Sequence, residues 1–405
     1  MSRYGQAPWG DRFPASRVPS FPRHRKPATA DVVVIGGGLT GCATAYAFAS
    51  AGLNVILLEA DRLGRGATSL AAGWISDDPG VPFADAEQLL GKRVAHDGFK
   101  AWRRASLEFA SLLRRLDIKC NLEPATALTI ALTPEQTARL KKEQKVRLGA
   151  KLDAPVIGSR VVSSEVALSS SVAMRGRDCA TVDPYRACLG LAAAAEERGA
   201  TIFEKSPVKR ITFNRKIADV YTAGGTIRTR KIVVATGTPT MLFKSLRRHF
   251  WFRTAFLALT DKVPARIRKQ LGTRKTIVRD SAEPYHVVRW LDDERLMVMG
   301  ADIETPVERL RDKVIVQRTG QLMYELSVLY PDISGIQPEF GWGVDYAKTA
   351  EGLPYIGPHR NFPHHLFAFG DSSHSVTGAY LASRVLLRYF QDDLDVSDKA
   401  FEFNR

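Results

Sequence analysis

Three glycines stand near the start of the 405-residue chain with the spacing G-x-G-x-x-G, at Gly36, Gly38 and Gly41. At this spacing the first glycine allows a tight turn, the second lets the backbone approach a pyrophosphate, and the third lets a helix pack closely on a strand. Glu59 follows 18 residues after Gly41, which is close to the spacing at which a carboxylate reaches a ribose hydroxyl. These residues predict a dinucleotide site at a helix N-terminus.

The segments around the glycines are the elements that such a site requires. Residues 31–35 (DVVVI) are an unbroken β-branched run, which is typical of a strand buried on both faces of a parallel sheet. Residues 39–51 follow as a helix of small apolar residues, and residues 54–59 (NVILLE) form a second strand. The sequence therefore predicts a complete βαβ unit around the glycines.

Two later segments indicate which dinucleotide the site would bind. Residues 231–237 (KIVVATG) predict a buried strand that ends in a Thr-Gly turn after a hairpin, as in the FAD-binding version of this fold. Residues 366–370 (LFAFG) predict a strand that ends at a glycine, and residues 376–389 predict the helix that follows it. The N-terminus of that helix would suit the anionic edge of a flavin ring.

The chain resembles the FAD-dependent oxidoreductases of the D-amino-acid oxidase type, which include glycine oxidase, sarcosine oxidase and γ-glutamylputrescine oxidase. The resemblance covers about residues 30 to 392. It is carried by residues 30–60 (ADVVVIGGGLTGCATAYAFASAGLNVILLEA), 64–74 (GRGATSLAAGW), 179–200 (CATVDPYRACLGLAAAAEERGA), 231–237 (KIVVATG), 351–358 (EGLPYIGP) and 367–386 (FAFGDSSHSVTGAYLASRVL).

This resemblance implies an α/β fold, in which a Rossmann-like FAD-binding domain is interleaved with a mixed-sheet substrate-binding domain. Before both lies a basic, proline-rich N-terminal arm, which we expect to be extended because its prolines oppose helix and central strand. The predicted boundaries are 1–29 for the arm, 30–84, 168–245 and 347–405 for the FAD-binding domain, and 85–167 and 246–346 for the substrate domain.

The resemblance also implies roles for individual residues. Glu59 would hold the adenosine ribose, residues 65–69 would run under the pyrophosphate and flavin, Val208 would contact the adenine, and residues 370–377 would wrap the pyrimidine side of the isoalloxazine. The predicted cofactor-binding residues are Gly36, Gly38, Leu39, Thr40, Gly41, Glu59, Ala60, Arg65, Gly66, Ala67, Thr68, Ser69, Gly73, Trp74, Val208, Ala235, Thr236, Gly237, Gly370, Asp371, His374, Ser375, Val376 and Thr377.

Two departures from the family pattern bear on the substrate. Members commonly carry a run similar to Gly-Gly-Asn-Gly-Val-Thr in the last motif, where this chain has residues 372–377 (SSHSVT). The relatives closest to glycine oxidase have an arginine six residues before the glycine of the Gly-Leu-Pro motif, and it pairs with the substrate carboxylate. Here that position is Tyr346. Residues 342–354 look more like the putrescine-oxidase branch, which oxidises an amine without that clamp.

Three residues are candidates for the chemistry: His374, Tyr285 and Arg289. His374 lies in the turn that the family places beside the isoalloxazine, where a helix N-terminus would tune its pKa. Strand alternation puts Tyr285 and Arg289 on one face of the segment 285–291. The alternatives are a structural histidine and a surface arginine. Aromatic candidates for the amine pocket are Trp74, Tyr285, Trp342 and Tyr346.

We expect the enzyme to oxidise the C–N bond of a primary or secondary amine, or of an amino-acid derivative, by hydride transfer to flavin N5, after which the imine hydrolyses. Oxygen or an electron carrier would reoxidise the flavin. The alternatives are a dehydrogenase of the same fold that uses only a carrier, and a flavoprotein without catalysis. The relatives with covalent flavin use a late cysteine or an early histidine. This chain has no cysteine after Cys188 and no histidine between His24 and His96, which predicts non-covalent FAD.

Composition limits the other partners. The net charge is +15, yet no nucleic-acid motif accompanies it, so a solvated basic surface is the interpretation. Four cysteines occur without C-x-x-C spacing, and a solvated loop accounts for His359, His364 and His365, so no metal site is expected. No signal peptide or membrane span is expected either, and the cytoplasm is the predicted location.

Overall fold

The computed structural model describes residues 2–214, 216–292 and 294–405. Two sheets organise the described chain. Its strands are β1 Arg3–Tyr4, β2 Ala28–Ile35, β3 Val55–Leu58, β4 Trp74–Ile75, β5 Glu123–Ile130, β6 Val156–Gly158, β7 Val172–Thr181, β8 Thr201–Phe203, β9 Arg210–Phe213, β10 Ala218–Thr222, β11 Gly225–Gly237, β12 Trp251–Thr260, β13 Thr276–Asp280, β14 Val287–Leu291, β15 Arg295–Glu304, β16 Pro338–Lys348, β17 Tyr355–His359 and β18 Phe362–Phe369.

Ten α-helices lie in the described chain. They are α1 Pro8–Asp11, α2 Leu39–Ser50, α3 Phe83–Leu90, α4 Lys92–Arg115, α5 Pro134–Gly149, α6 Ser159–Val166, α7 Pro184–Glu197, α8 Ala265–Arg268, α9 Arg311–Leu329 and α10 Thr377–Gln391. Short 3-10 helices occupy Ala15–Arg17, Ala67–Leu70, Met241–His249, Glu308–Leu310, Pro331–Ile333 and Val396–Phe401. None of the helices in the described chain has the length and apolar character that crossing a bilayer would require.

The eight-stranded sheet has the order β17-β18-β11-β2-β3-β8, with β10 and β9 continuing from β11. The strands from β18 to β8 are parallel, and β17 is an antiparallel edge. Val32 and Val34 pack into one apolar cluster, while Val33 and Ile35 pack into another. The sheet is therefore buried on both faces at β2, as its β-branched run predicts, and α2 packs between α7 and α10.

The ten-stranded sheet has the order β1-β16-β12-β15-β14-β13-β5-β7-β4, with β6 beside β7. Helix α9 packs on β12, β15 and β16. Strands β4 and β7 belong to this sheet, although both fall in segments that the sequence assigns to the FAD-binding domain. Strand pairing thus crosses the predicted boundaries, because β7 satisfies its backbone groups on β5. The boundaries themselves stay a prediction.

The N-terminal arm is not fully extended, so that prediction is wrong. Residues Pro8–Asp11 form a helical turn with proline at its start, a position where the missing N–H of proline costs no hydrogen bond. Strand β1 pairs in parallel with β16. Trp9 is buried and its indole N–H donates to the Ala71 carbonyl at 3.0 Å. The arm therefore supports the back of the loop that follows Gly64.

The interpretation of His359, His364 and His365 as residues of a solvated loop is also wrong. All three are buried, because the β17–β18 hairpin folds them into an aromatic cluster. The ring of His365 lies 5.8 Å from that of Phe367 and 5.4 Å from that of Phe243. Burial there lowers the pKa of His365 to about 4.

Candidate functional site

A cavity of about 350 Å³ lies between the two sheets, where β11 and β18 end and α2 and α10 begin. Its floor comes from the eight-stranded sheet and these two helix N-termini, and its roof comes from β15 and β16. The lining residues are Leu39, Thr40, Ala67, Thr68, Ala71, Ala72, Thr236, Gly237, Thr238, Met299, Val344, Asp345, Tyr346, Ala347, Pro354, Ile356, Ala368, Phe369, Gly370, Asp371, His374, Ser375, Val376, Gly378, Ala379 and Ala382.

The first helix N-terminus on the cavity is that of α2. Gly38 has no side chain to cap it, and the N–H of Leu39 donates to Thr68 Oγ1, so the next amides of the first turn, those of Thr40 and Gly41, are the ones that an anion would meet. Gly36 has a φ of +106°, and a Cβ on Gly41 would lie 1.8 Å from the Gly36 carbonyl oxygen. Only glycine at position 41 lets the helix approach the turn this closely, which fits a pyrophosphate held on backbone groups.

Glu59 lies at the end of β3 beside this turn. Its Oε2 accepts a hydrogen bond from the Gly37 N–H at 2.6 Å, and its Oε1 accepts one from the Asp61 N–H at 2.8 Å. Both carboxylate oxygens are therefore held in place next to the glycine turn, with acceptor capacity left for a ribose hydroxyl. Val208 is partly buried against the apolar cluster that contains Val33 and Ile35.

The loop from Gly64 to Trp74 contributes both lining and supporting residues. Thr68 lines the cavity and its Oγ1 accepts from the Leu39 N–H at 2.8 Å. Ser69 turns back to donate to the Gly66 carbonyl at 3.1 Å, and Arg65 is exposed. Trp74 lies outside the lining, where its buried indole N–H donates to the His374 carbonyl at 2.9 Å. Trp74 therefore holds the later turn in place.

That later turn, residues 370–376, leads into the second uncapped helix N-terminus, that of α10. His374 adopts a φ of +55°, which is uncommon for a residue other than glycine. The Asp371 carboxylate accepts from the Ser373 N–H at 2.9 Å, yet burial raises the pKa of Asp371. Thr377 lies behind the lining and exchanges hydrogen bonds with the backbone of Ser76.

The predicted cofactor residues thus divide into two groups. Those on the cavity are Leu39, Thr40, Ala67, Thr68, Thr236, Gly237, Gly370, Asp371, His374, Ser375 and Val376. Those beside or behind it are Gly36, Gly38, Gly41, Glu59, Ala60, Arg65, Gly66, Ser69, Gly73, Trp74, Val208, Ala235 and Thr377. Two uncapped helix N-termini on one cavity, with glycines where a side chain would collide, fit the pyrophosphate and the flavin of FAD.

The three predicted catalytic residues lie at different depths. His374 lines the cavity. Tyr285 lies beside it, with its ring 5.6 Å from the His374 ring and its hydroxyl donating to the Ser373 carbonyl at 2.9 Å. Arg289 points behind the loop to the Gly73 carbonyl and the Trp9 ring, and burial lowers its pKa to about 10. The structure therefore brings His374 and Tyr285 together and leaves Arg289 apart.

Asp302 beside His374 was not predicted from the sequence. Its Oδ2 accepts a hydrogen bond from the Tyr346 hydroxyl at 2.6 Å and lies 3.4 Å from His374 Nε2. The Tyr346 ring is 4.8 Å from the His374 ring. Gly300 inside the strand pattern was the available signal, because a glycine there often marks a β-bulge that redirects neighbouring side chains.

The charged groups on the cavity are few. Asp345, Asp371 and His374 are its ionisable lining residues besides Tyr346, and no lysine or arginine occurs among the lining residues that the structure describes. Asp345 is paired with Arg311 at 2.9 Å and accepts from the Thr254 hydroxyl at 2.5 Å. Of the aromatic candidates, Tyr346 lines the cavity, whereas Trp342 is buried and donates to the Leu70 carbonyl.

Known proteins are similar to this chain in sequence and in fold. The γ-glutamylputrescine oxidoreductase of Escherichia coli K12 is 25% identical over 393 residues, which cover 95% of this chain and 89% of that protein. The glycine oxidase of Bacillus subtilis is 25% identical over 386 residues, covering 90% and 95%. The crystal structure of glycine oxidase from Geobacillus kaustophilus superposes with a TM-score of 0.74 at 19% identity, covering 93% of this chain and 99% of that one.

The likeness in fold confirms the predicted architecture, a Rossmann-like FAD-binding domain interleaved with a mixed-sheet domain. Residues 31–388 match the model of the FAD dependent oxidoreductase family, which also confirms the resemblance drawn from the motifs. The chain is therefore a member of the FAD dependent oxidoreductase family, the D-amino-acid oxidase type of flavoenzyme, and its cofactor is FAD.

Proposed function

We propose that this flavoenzyme oxidises the C–N bond of a primary or secondary amine, or of an amino-acid derivative, to an imine that hydrolyses in water. Support comes from the relatives, because glycine oxidase, sarcosine dehydrogenase and γ-glutamylputrescine oxidoreductase carry names that state amine or amino-acid substrates. Glycine oxidase and γ-glutamylputrescine oxidoreductase match the chain along nearly its whole length.

The observation that carries the proposal is the charge of the cavity. Its described lining holds Asp345, Asp371 and His374 but no lysine or arginine. On the roof side, a substrate carboxylate on the reacting carbon would meet Asp345 and no lysine or arginine, whereas the helix N-termini that suit an anion lie on the floor. These surroundings disfavour an ionised carboxylate there. An amine or its cation suits the same surroundings, and the ring of Tyr346 adds a favourable face for a cation. We therefore infer a substrate whose reacting carbon bears nitrogen but no carboxylate.

The protein's own contribution is binding, orientation and exclusion of water. FAD, when bound, supplies the hydride acceptor. The apolar side chains of Met299, Val344 and Ile356 line the cavity, so the substrate carbon would be held in surroundings with little water. Desolvation favours the neutral amine, whose lone pair assists loss of hydride from the neighbouring carbon. Gly38 and the first turn of α2 would hold the pyrophosphate, as described above.

Anaerobic reduction of the enzyme tests the proposal. n-Pentylamine and norleucine share one carbon skeleton, and norleucine differs by the carboxylate on the reacting carbon. We expect bleaching of the flavin band to be at least about 100-fold faster with the amine, the discrimination that unpaired polar groups impose in a closed site. A panel of N-methylated and longer amines would then define the substrate. Equal or faster bleaching by norleucine, or none with any amine, contradicts the proposal.

The electron acceptor is a second property that the same samples define. After anaerobic reduction, the flavin is exposed either to air or to an electron-accepting dye, and the return of the flavin band is followed in both. Rapid return in air supports an oxidase. Return with the dye alone supports the alternative of a dehydrogenase, which two of the similar proteins are by name: sarcosine dehydrogenase and the L-proline dehydrogenase of P. horikoshii.

A further inference from the structure

Asp302 is a buried carboxylate next to the cavity, and the backbone directs it there. Strand β15 pairs with β12 except at a bulge, where Ala301 and Asp302 stand opposite the single residue Ala255. Ala301 takes a φ of +54° at this bulge, a conformation that costs free energy for an alanine. Asp302 is 7% exposed. Bulges of this kind are frequent beside active sites, where they redirect a side chain.

The carboxylate of Asp302 has only part of the hydrogen bonding that it requires. Oδ2 accepts from the Tyr346 hydroxyl and lies 3.4 Å from His374 Nε2. Oδ1 is buried and has no hydrogen-bond partner among the described residues. Arg253 reaches the backbone carbonyl of Asp302 at 3.0 Å rather than its carboxylate. No fixed cation in the described chain is paired with the Asp302 carboxylate.

A buried carboxylate without a fixed cation favours a proton on the nearest base. That base is His374, whose side chain is 8% exposed. His374 also lines the cavity, so one edge of its ring meets the carboxylate while the residue itself borders the space for the substrate. This is the arrangement in which a carboxylate orients an imidazole and stabilises its protonated form.

We propose that Asp302 is a positioning residue that orients His374 and stabilises its imidazolium, so that His374 takes the proton from the ammonium group of the substrate. The proposal rests on the proposed amine oxidation. In the step, the N–H bond of the bound ammonium breaks, its electron pair stays on nitrogen as the neutral amine, and the proton forms an N–H bond on His374. No oxidant is required, because hydride loss from the carbon is the separate step for which FAD is the acceptor.

Several charged or titratable groups surround His374. Tyr285 precedes β14, Tyr346 is on β16, and Asp371 is in the same turn as His374. Burial raises the pKa of both tyrosines above their usual value, so both stay neutral. Burial alone would raise the pKa of Asp302, but His374 and Tyr346 lower it overall. Among these neighbouring groups, Asp302 is therefore the direct partner of the His374 ring.

The first test measures the titration of His374 in the FAD-loaded protein without any turnover. The chain has eight histidines, so ¹⁵N-histidine NMR with the variant His374→Gln identifies the His374 resonance. Asp302→Asn should move the titration of His374 to lower pH than in wild type, because the carboxylate beside the ring is lost. Tyr346→Phe should shift the pKa of His374 in the opposite direction, because Asp302 loses its neutral hydrogen-bond donor.

Asp280→Asn is the matched control. Asp280 pairs with His286 at 2.7 Å, His286 also lies 3.2 Å from Glu325 of α9, and neither Asp280 nor His286 is a lining residue of the cavity. This variant should change the titration of His286 and leave that of His374 unchanged. A His374 pKa that does not move in Asp302→Asn, or that moves equally in Asp280→Asn, overturns the proposal. If Asp302→Asn fails to retain FAD, the direction of the shift in Tyr346→Phe decides instead.

The second test uses the dependence of kcat/KM on pH with two amines whose own pKa values differ widely. If His374 takes the ammonium proton, the acidic limb belongs to the enzyme, so it has the same position for both amines and moves to lower pH in Asp302→Asn. His374→Gln should reduce kcat by about 100-fold, within the usual range for a lost general base. An acidic limb that follows the pKa of each amine, and is unchanged in Asp302→Asn, contradicts the proposal while leaving amine oxidation itself intact.

Discussion

The floor and the roof of the cavity use different parts of the chain. The floor presents backbone groups, with glycines at Gly36 and Gly41 and two uncapped helix N-termini. The roof presents side chains, chiefly Tyr346 on β16, whose hydroxyl is bonded to Asp302 of β15 beside the cavity. A backbone site depends on close approach and is disrupted by added atoms, whereas a side-chain site depends on charge and protonation. His374 belongs to the floor by position and to the roof by its contacts.

Two histidines show the same difference on a smaller scale. His365 lies under the floor among aromatic rings, and both of its ring nitrogens are without a hydrogen-bond partner in the described structure. His374 lies beside the carboxylate of Asp302. The first environment disfavours the charged imidazole. The second places a carboxylate where it can partner the imidazole ring.

The largest effect should come from adding atoms to the floor. Gly41→Val places a Cβ 1.8 Å from the Gly36 carbonyl oxygen, so helix α2 cannot keep its distance from the turn. We expect a protein without flavin and a loss of more than about 4 kcal/mol in the free energy of unfolding, the range of severe packing defects. Absorbance of the purified protein and urea unfolding measure both.

The control for Gly41→Val is Gly320→Ala on α9, which packs against the ten-stranded sheet. A Cβ there meets no atom within 4 Å, and alanine is the better helix former by about 1 kcal/mol. This variant should stay yellow and be slightly more stable. If Gly41→Val retains FAD like the control, the close approach at the floor is not what holds the cofactor.

The second prediction concerns how the floor retains the flavin. With backbone contacts and no covalent attachment, acid precipitation should release all of the FAD into the supernatant. The measurement is the absorbance of the supernatant and of the washed pellet. Yellow colour that stays with the pellet would reveal a covalent bond and would require a different placement of the flavin between the loop Gly64 to Trp74 and the turn 370–376.

The third prediction uses the buried histidine under the floor. Because the pKa of His365 falls from its usual 6.5 to about 4 on folding, the unfolded chain binds an extra proton between these pH values. Protonation of His365 therefore does not reduce the free energy of unfolding above pH 6.5. As the pH drops from 6.5 to about 4, the free energy of unfolding falls by about 3 kcal/mol on account of this group. Urea unfolding of wild type and His365→Phe, at about pH 7 and about pH 4, measures the difference.

His365→Phe keeps an aromatic ring beside Phe367 and removes the titrating group, so its loss of stability with acid should be smaller than that of wild type. His364→Phe is the comparison, since both ring nitrogens of His364 lie near backbone carbonyl oxygens, of Arg230 and Asn214. An equal acid dependence in wild type and His365→Phe would show that His365 is not the neutral buried group described above.

The smallest effect should come from a single polar contact of the floor. Glu59→Gln removes the charge of the carboxylate that would hold the ribose, and we expect FAD affinity to fall by about 1 to 3 kcal/mol. Flavin fluorescence on titration of the apoprotein measures the dissociation constant. Asp61→Asn removes the same charge two residues away and should leave the affinity unchanged. Equal affinities for the Glu59 variant and wild type would show that Glu59 does not contact the ribose.

Much of the floor could be predicted from the sequence, because it depends on contiguous segments. The spacing of Gly36, Gly38 and Gly41 predicts the turn and the start of α2, and the β-branched run predicts β2. The same holds for the strand and helix on either side of residues 370–376. Local conformational preferences and hydrophobic pattern act over a few residues, so these elements can be recognised without knowing what they pack against.

The sequence by itself determined the cofactor class, the family and the strands and helices of the predicted dinucleotide site. Only the tertiary structure decided that Asp302 meets His374, that Arg289 turns behind the loop, that Trp9 is buried, and that His365 lies among aromatic rings. The physical reason is distance along the chain. Asp302 lies on a strand of the ten-stranded sheet, whereas His374 lies in the turn that follows the last strand of the eight-stranded sheet. A β-bulge whose geometry depends on the neighbouring strand sets the direction of the Asp302 carboxylate.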